Sequence, residues 1–324
     1  MKPAPHPSSP IPHPSNRIEV VAAVITRPDG AFLLGQRPAG KVYAGYWEFP
    51  GGKIERGEAP GAALSRELNE ELGIEVRSAY PWLTRDYDYA HAAVRLRFFR
   101  VTEWSGVPHG RENQRFTWQM PDAITVDPLL PANGPILRAL GLPAEYAITN
   151  AGELGEREFL ARLDRALARG LKLLQVREKS LSGTALLRFA TEVARRAHAG
   201  GARVLVNADA ELAKRTGADG VHLTAAQLMN QPRPAWGLIG ASCHDAAELA
   251  RAQALSVDFA VLGPVAPTPS HPGATGLGWD KLAALLRDCP LPVYALGGMK
   301  ATDLDAAQRC GAHGISMMRG AWPD

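Results

Sequence analysis

Residues 51–74 read GGKIERGEAPGAALSRELNEELGI. Pro60 suits the first turn of a helix, where its missing N–H would have been unpaired anyway, and Gly73 suits the position just past the end. A helix is therefore predicted over 60–72. At 100° per residue Leu64, Leu68 and Leu72 form a buried stripe, and Glu67, Glu70 and Glu71 cluster on the neighbouring face. Carboxylates this close repel by a few tenths of a kcal/mol per i,i+4 pair, and by more when partly buried. A hard divalent cation removes that penalty. Mg²⁺ binds through a few carboxylates, its own waters and phosphate oxygens, which suits an open acidic face. Arg66, four residues before Glu70, is placed to orient a ligand from behind. The short acidic run alone reads more readily as a solvated face, and the wider spacing has to reverse that.

Working outward, strands are expected near 18–26 and 31–36, the helix near 60–72, and further strands near 80–90 and 93–104. This is an α+β layout. A Pro- and Gly-rich stretch, DPLLPANGPILRALGLPAEY, holds a helical run over 134–140, with a linker expected at 141–146. From there strand and helix alternate through AIT, LKLLQVRE, RVLVNA, GVHLT, GLIGASC, FAVLGPV, PVYALGG and GISMMRG. Eight such runs predict a closed parallel (β/α)8 TIM barrel, its last outer helix missing or replaced by the helical run at 134–140, because the sequence stops at RGAWPD. The division expected is a Pro-rich disordered tail at 1–16, an α+β domain at 17–140, a linker at 141–146 and the α/β barrel at 147–324.

Composition agrees with two soluble domains. The chain has 324 residues, 46% hydrophobic and 21% charged, and no apolar run approaches the ~18–20 residues of a membrane helix. Membrane association is not expected. Cys243, Cys289 and Cys310 are widely spaced, which argues against disulfides and thiolate zinc sites and favours a reducing, cytoplasmic compartment. A net charge of +3 is too small to suggest a nucleic-acid polymer as partner, so an anionic partner should be a small molecule.

The spacing from Gly52 through Glu58, Arg66, Glu67, Leu68, Glu70, Glu71, Gly73 and Ile74 resembles the Nudix box at every fixed position. By residue frequencies a chance match is on the order of one in a million. The first ~140 residues are thus similar to Nudix hydrolases, which cleave nucleoside diphosphates linked to another moiety. WEFPGGK, GRENQ and LLPANGPI narrow the resemblance to the MutT type, the 8-oxo-dGTP diphosphatases. The resemblance implies Glu67, Glu70, Glu71 and Glu112 as metal ligands with the Gly51 carbonyl, Mg²⁺ (Mn²⁺ possible) as cofactor, Arg37 as a phosphate contact, and Asn133 as the amide that reads the oxidised guanine. Glu112 or Glu67 would accept the proton from the attacking water, and Trp47, Phe49 and Tyr46 are aromatic candidates for stacking on the base or for the core.

In the second half, Gln175, Arg177 and Lys179 alternate at the end of one strand and so share a face, suiting a phosphate at the barrel's C-terminal rim. VLGPVAPTPSHPG and VYALGGM supply hydroxyls and a Gly pair. With GADGVHLT these segments resemble thiamine phosphate synthase and thiazole tautomerase. That resemblance implies a phosphorylated thiamine-type ligand held by Gln175, Arg177, Lys179, Asn207, Thr268, Ser270, Gly297 and Gly298. It departs where the chemistry lies. Ala208 and Gln227 stand where the synthase pattern has magnesium carboxylates, His271 where it has a loop Lys, and Pro264 where the tautomerase pattern has a catalytic His. Asp209 and Glu211 are the nearest acids, the former on the wrong strand face. His222 and His244, at strand ends, are titratable candidates.

Overall fold

A computed structural model describes residues 17–111, 114–268 and 275–323. The expected Pro-rich tail, Glu112, Ser270 and His271 fall outside them. The chain divides into two compact units, one ending at Leu137 and the other beginning at Arg138.

The first unit has strands β1 (Ile18–Ile25), β2 (Phe32–Gln36), β3 (Trp47–Glu48), β4 (Glu75–Tyr89), β5 (Ala92–Ser105) and β6 (Phe116–Gln119), with helix α1 (Pro60–Leu72). They form two three-stranded sheets, ordered β1-β5-β4 and β3-β2-β6. β1 lies parallel to β5, with Val21 opposite Arg97, and β4 and β5 form a long antiparallel hairpin. The sequence reading missed β3 and β6, whose two and four residues are too short to show periodicity. α1 has the predicted bounds. Gly73 sits at φ 68°, its N–H returning to the Asn69 carbonyl and that of Ile74 to the Leu68 carbonyl, a left-handed cap that costs glycine little. Leu64, Leu68 and Leu72 are fully buried against Val21, Ala23, Ile25 and Val101.

Between β3 and α1 the chain is strapped to β1. Ala23 donates to the Pro50 carbonyl (2.7 Å) and Val21 to that of Gly52 (2.9 Å). A side chain at Gly51, φ 146°, would collide with the Val21 carbonyl at 2.1 Å, so glycine is required for this close approach.

Helix α2 (Gly134–Leu140) spans the boundary, and the second unit continues with β7 (Glu145–Ile148), β8 (Leu173–Val176), β9 (Arg203–Asn207), β10 (Gly220–Leu223), β11 (Leu238–Cys243), β12 (Phe259–Leu262), β13 (Val293–Leu296) and β14 (Gly314–Met317). They close in sequence order into an eight-stranded barrel, β14 meeting β7 in parallel with Ser316 opposite Tyr146. β7 starts inside the stretch read as linker, because Tyr146 is needed within the barrel. It is fully buried and packs with Phe259 and Tyr294 at ring separations of 5.1 and 5.6 Å, forming an aromatic plug. After β14 comes a short 3-10 turn, Arg319–Ala321. Trp322 finishes it, its ring against Phe159 at 4.9 Å and its indole N–H on the Ile148 carbonyl. No helix among the described residues is long and apolar enough to cross a membrane, and the three cysteines are thiols.

Candidate active sites

In the first unit, α1 lays its acidic face along the Gly51–Gly52 loop. A Cβ on Gly52 would stand 2.1 Å from the carboxyl carbon of Glu67, so the absent side chain is what lets that carboxylate lie on the loop backbone. Glu71 accepts the Gly51 N–H at 3.2 Å. Burial pushes its carboxyl up to about 7, opposed by the Gly51 N–H and by Gln114, and reinforced by the charges of Glu48 and Glu67. Beside it the Gln114 Oε1 is buried with no partner.

Arg66 is the hub of the acidic face. Its guanidinium donates to Glu58 (Nε to Oε1 3.0 Å, Nη2 to Oε2 3.0 Å), to Glu67 (2.9 Å), to Glu70 (3.3 Å) and to the Lys53 carbonyl (3.1 Å). Those bonds hold the Glu58 carboxyl below its usual range and raise the guanidinium further. The three acids therefore do not converge on one point. Glu67 and Glu70 lean to Arg66, Glu71 to Gly51, and among the described residues no three acid, His or Cys side chains are gathered as a ready cage.

The remaining candidates of this unit divide. Arg37 binds Glu48 through Nη1 at 2.6 and 2.7 Å and the Val42 carbonyl through Nε at 2.7 Å. Glu48 went unnoticed in the sequence, yet it sits between the sites: burial raises its carboxyl against the opposing pull of Arg37, and its charge is felt by both Glu71 and Tyr89. Trp47 and Phe49 are 6% and 4% exposed, and Phe49 is wedged 5.8 Å from both Phe32 and Phe98. Both rings are placed in the core rather than on a face a base can reach. The accessible aromatics are Tyr46, one of the three candidates, with Tyr43, Tyr89 and His91, the ring of Tyr43 lying 5.1, 5.4 and 5.9 Å from those of Tyr46, Tyr89 and His91; Tyr89 and His91, far away in sequence, gave no local signal. Asn133 is buried and donates from Nδ2 to the Trp47 carbonyl at 3.3 Å.

In the second unit, residues at the C-terminal ends of all eight strands enclose a cavity of about 990 Å³, at the upper end of the ~300–1,000 Å³ usual for small-molecule sites. Gln175, Arg177, Lys179, Asn207, Thr268, Gly297 and Gly298 all line it, so the alternation along β8 and the distant Gly pair do come together. Lys300, Glu153, Glu178, Ser242 and Ser316 join them; their strands ended in no motif that marked them. Gly297, at φ 105°, would carry a Cβ 2.6 Å from Pro264.

His222 lies in the cavity wall between the Tyr146 hydroxyl (3.1 Å) and the Ser242 hydroxyl (2.9 Å). Burial, with Arg177 nearby, depresses it to about 3, so it stays neutral near pH 7 and is a structural rather than a titrating histidine. His244 instead pairs with Glu248 at 2.9 Å. Burial raises the Cys243 thiol, also in the wall, to about 12, so it carries no thiolate chemistry. Ala208 takes a left-handed backbone, φ 63°. Gln227 closes a capping box with Thr224 and donates from Nε2 to the Ala208 carbonyl at 2.7 Å. The two positions expected to hold magnesium acids are thus bonded to each other. Asp209, the nearby acid, accepts the Leu212 N–H at 2.8 Å as a helix cap.

Comparison with known proteins matches both units. Residues 16–140 fit the family described as NUDIX domain, and residues 145–321 the family described as Thiamine monophosphate synthase. CTP pyrophosphohydrolase of Escherichia coli is 42% identical over 122 residues, 38% of this chain and 90% of its own. The 8-oxo-dGTP diphosphatase of Haemophilus influenzae is 37% identical over 123 residues, 38% of this chain and 90% of its own. A putative thiamine-phosphate synthase of Geobacter sulfurreducens is 39% identical over 183 residues, 53% of this chain and 84% of its own. With the box on α1 and the eight-stranded cavity already in place, these matches make the chain a member of the Nudix family through its first unit and of the thiamine monophosphate synthase family through its second.

Proposed function

We propose that the first unit hydrolyses purine nucleoside triphosphates, 8-oxo-dGTP above all, to nucleoside monophosphate and pyrophosphate, clearing oxidised nucleotides from the precursor pool. Nudix hydrolases use divalent cations, usually Mg²⁺. The observation that carries this reading is Glu71, a buried carboxylate held on the Gly51 N–H with Glu67 against the adjoining Gly52 and an unpartnered Gln114 oxygen at its side. Such a donor set is penalised alone and relieved by a cation, so the residues fit the metal. Glu67, Glu70, Glu71 and the Gly51 carbonyl would hold it, with Glu112, which lies outside the described residues. When bound, the ion lowers the pKa of water and neutralises charge developing on phosphate oxygens.

The protein's own groups do the rest. Arg66 keeps Glu67 and Glu70 pointed along the loop, and Arg37 offers a guanidinium to phosphate from its perch on Glu48. The bond from Asn133 to the Trp47 carbonyl orients its amide, whose oxygen and second N–H can meet the donor and acceptor of a purine edge. Glu67 or Glu112 takes the proton from the attacking water.

The test is kcat/KM across a panel containing 8-oxo-dGTP, dGTP and CTP. An 8-oxo-dGTP value at least about tenfold above the others supports the base preference; a preference for CTP, the substrate in the name of one relative, would assign pyrimidine specificity instead. Glu71→Gln should lower turnover at least about 100-fold, and undiminished pyrophosphate release would sink the hydrolytic assignment.

A second reading concerns the barrel. Its cavity, lined by Arg177, Lys179 and Lys300, supports binding of a small phosphorylated ligand of the thiamine type.

A further inference from the structure

We propose that the barrel cavity holds the phosphate or diphosphate of its ligand without a divalent cation, by direct contact with cationic side chains. The proposal rests on the reading of the barrel as a phosphorylated-ligand site and deepens it.

The distribution of charge around the cavity carries the inference. Arg177, Lys179 and Lys300 line it, and among the described residues none of them is paired with a carboxylate. The acids, by contrast, are all engaged. Glu153 is bound by Arg319 (Nε to Oε2, 2.8 Å) and by Asn150 (3.1 Å). Both oxygens of Glu178 receive backbone N–H groups, from Ala151 at 2.8 Å and Gly152 at 2.9 Å. Near the wall residues in sequence, Asp209 accepts from Leu212 N, Asp245 from Glu248 N, Glu248 from the backbone N–H and ring Nδ1 of His244, and Asp303 from Lys300 N. The loop residues 269–274, outside the described set, read PSHPGA and contain no acid.

The positions at which the synthase pattern places magnesium ligands are Ala208 and Gln227. Neither offers a carboxylate, and their mutual hydrogen bond fills the space between them. A hydrated Mg²⁺ needs anionic oxygens from the protein to offset its own desolvation and the repulsion of neighbouring cations. The cavity is lined by the cations Arg177, Lys179 and Lys300. An arginine and two lysines instead give direct charge-assisted bonds to phosphate oxygens. An independent observation points to a ligand deeper in. The Ser316 hydroxyl is fully buried in the same wall without a hydrogen-bond partner, so a polar ligand atom is wanted there.

The experiment uses the full chain carrying Glu71→Gln, which silences nucleotide turnover in the other unit. Thiamine phosphate is titrated calorimetrically in excess EDTA and again in millimolar Mg²⁺, with unphosphorylated thiamine as the control. The expected result is the same Kd in both buffers within about threefold. It should weaken at least about tenfold on adding Arg177→Ala or on omitting the phosphate. Circular dichroism checks that the arginine variant is folded; Lys179→Ala is the second variant should it not be. Binding to the barrel that appears only with Mg²⁺ and is abolished by either variant overturns the metal-free inference and leaves the phosphorylated-ligand reading standing. Absence of binding in both buffers overturns that reading, and the inference with it.

Discussion

Arg66 shows how one side chain can prepare a site without belonging to the chemistry. Its charge binds Glu58, Glu67 and Glu70 at once, and the Glu58 and Glu67 side chains are only 17% and 16% exposed. Replacing it with Met leaves those carboxylates to repel one another. Arg66→Met should therefore raise the Mg²⁺ concentration needed for half-maximal activity by about 10–100-fold, read from a metal titration, while Arg66→Lys recovers only part because an ammonium cannot span three acids. His222 gives a pH signature in the other unit. Its folded pKa, about 3, lies below the ~6.5 of an unfolded histidine. The unfolded barrel therefore takes up a proton first, and stability present above pH ~6.5 is lost as pH falls toward 3. Between pH 7 and pH 5 the loss should be roughly 2 kcal/mol from this residue, seen in urea unfolding as a steeper decline for the wild type than for His222→Gln. Equal declines would mean that the imidazole is not held neutral.

At the scale of the element, α1 is almost wholly legible in the sequence. Pro60 and Gly73 set its ends, and three leucines four residues apart set its buried face. What the spacing did not reveal was where each acid would lean, since that depends on a glycine loop some 15 residues earlier and on which carboxylates the guanidinium captures. Glu48, Gln114 and the Tyr43–Tyr89–His91 group escaped notice for the same reason: they are partners across sheets, and one-dimensional periodicity carries no register. Trp47 and Phe49 were drawn toward the base by their chemistry and toward the core by their neighbours, and the core prevailed. The helix's buried stripe also makes a quantitative expectation. Leu68 is 0% exposed, so Leu68→Ala should destabilise the first unit by about 2–5 kcal/mol, whereas Leu68→Met should cost less than about 1.5 kcal/mol. Urea midpoints of the two variants check the ranking.

On the scale of the whole molecule, both folds followed from pattern, the barrel from eight apolar runs at regular intervals and the Nudix unit from its box. The cavity's full wall did not, because it is assembled from the ends of eight strands, and Lys300 and Ser316 mean nothing until the barrel closes. Each unit has its own apolar core, so metal removal should act on chemistry and leave folding alone. Excess EDTA is expected to reduce nucleotide hydrolysis to background while the far-ultraviolet circular dichroism spectrum is unchanged, and restored Mg²⁺ should recover the rate; a collapsed spectrum would mean that the cation is structural. One detail of the barrel reaches further. Ala208 holds a left-handed backbone, φ 63°, a conformation that strains alanine by roughly 1–2 kcal/mol and that Asn or Asp bears more easily. The main chain there keeps the mould of a residue other than the one cast in it, so the position is a groove along which the protein can be pushed back. Ala208→Asp should fit without rebuilding the loop and would put an acid where the synthase pattern has one, so Mg²⁺ should then tighten thiamine phosphate binding in the same calorimetric titration.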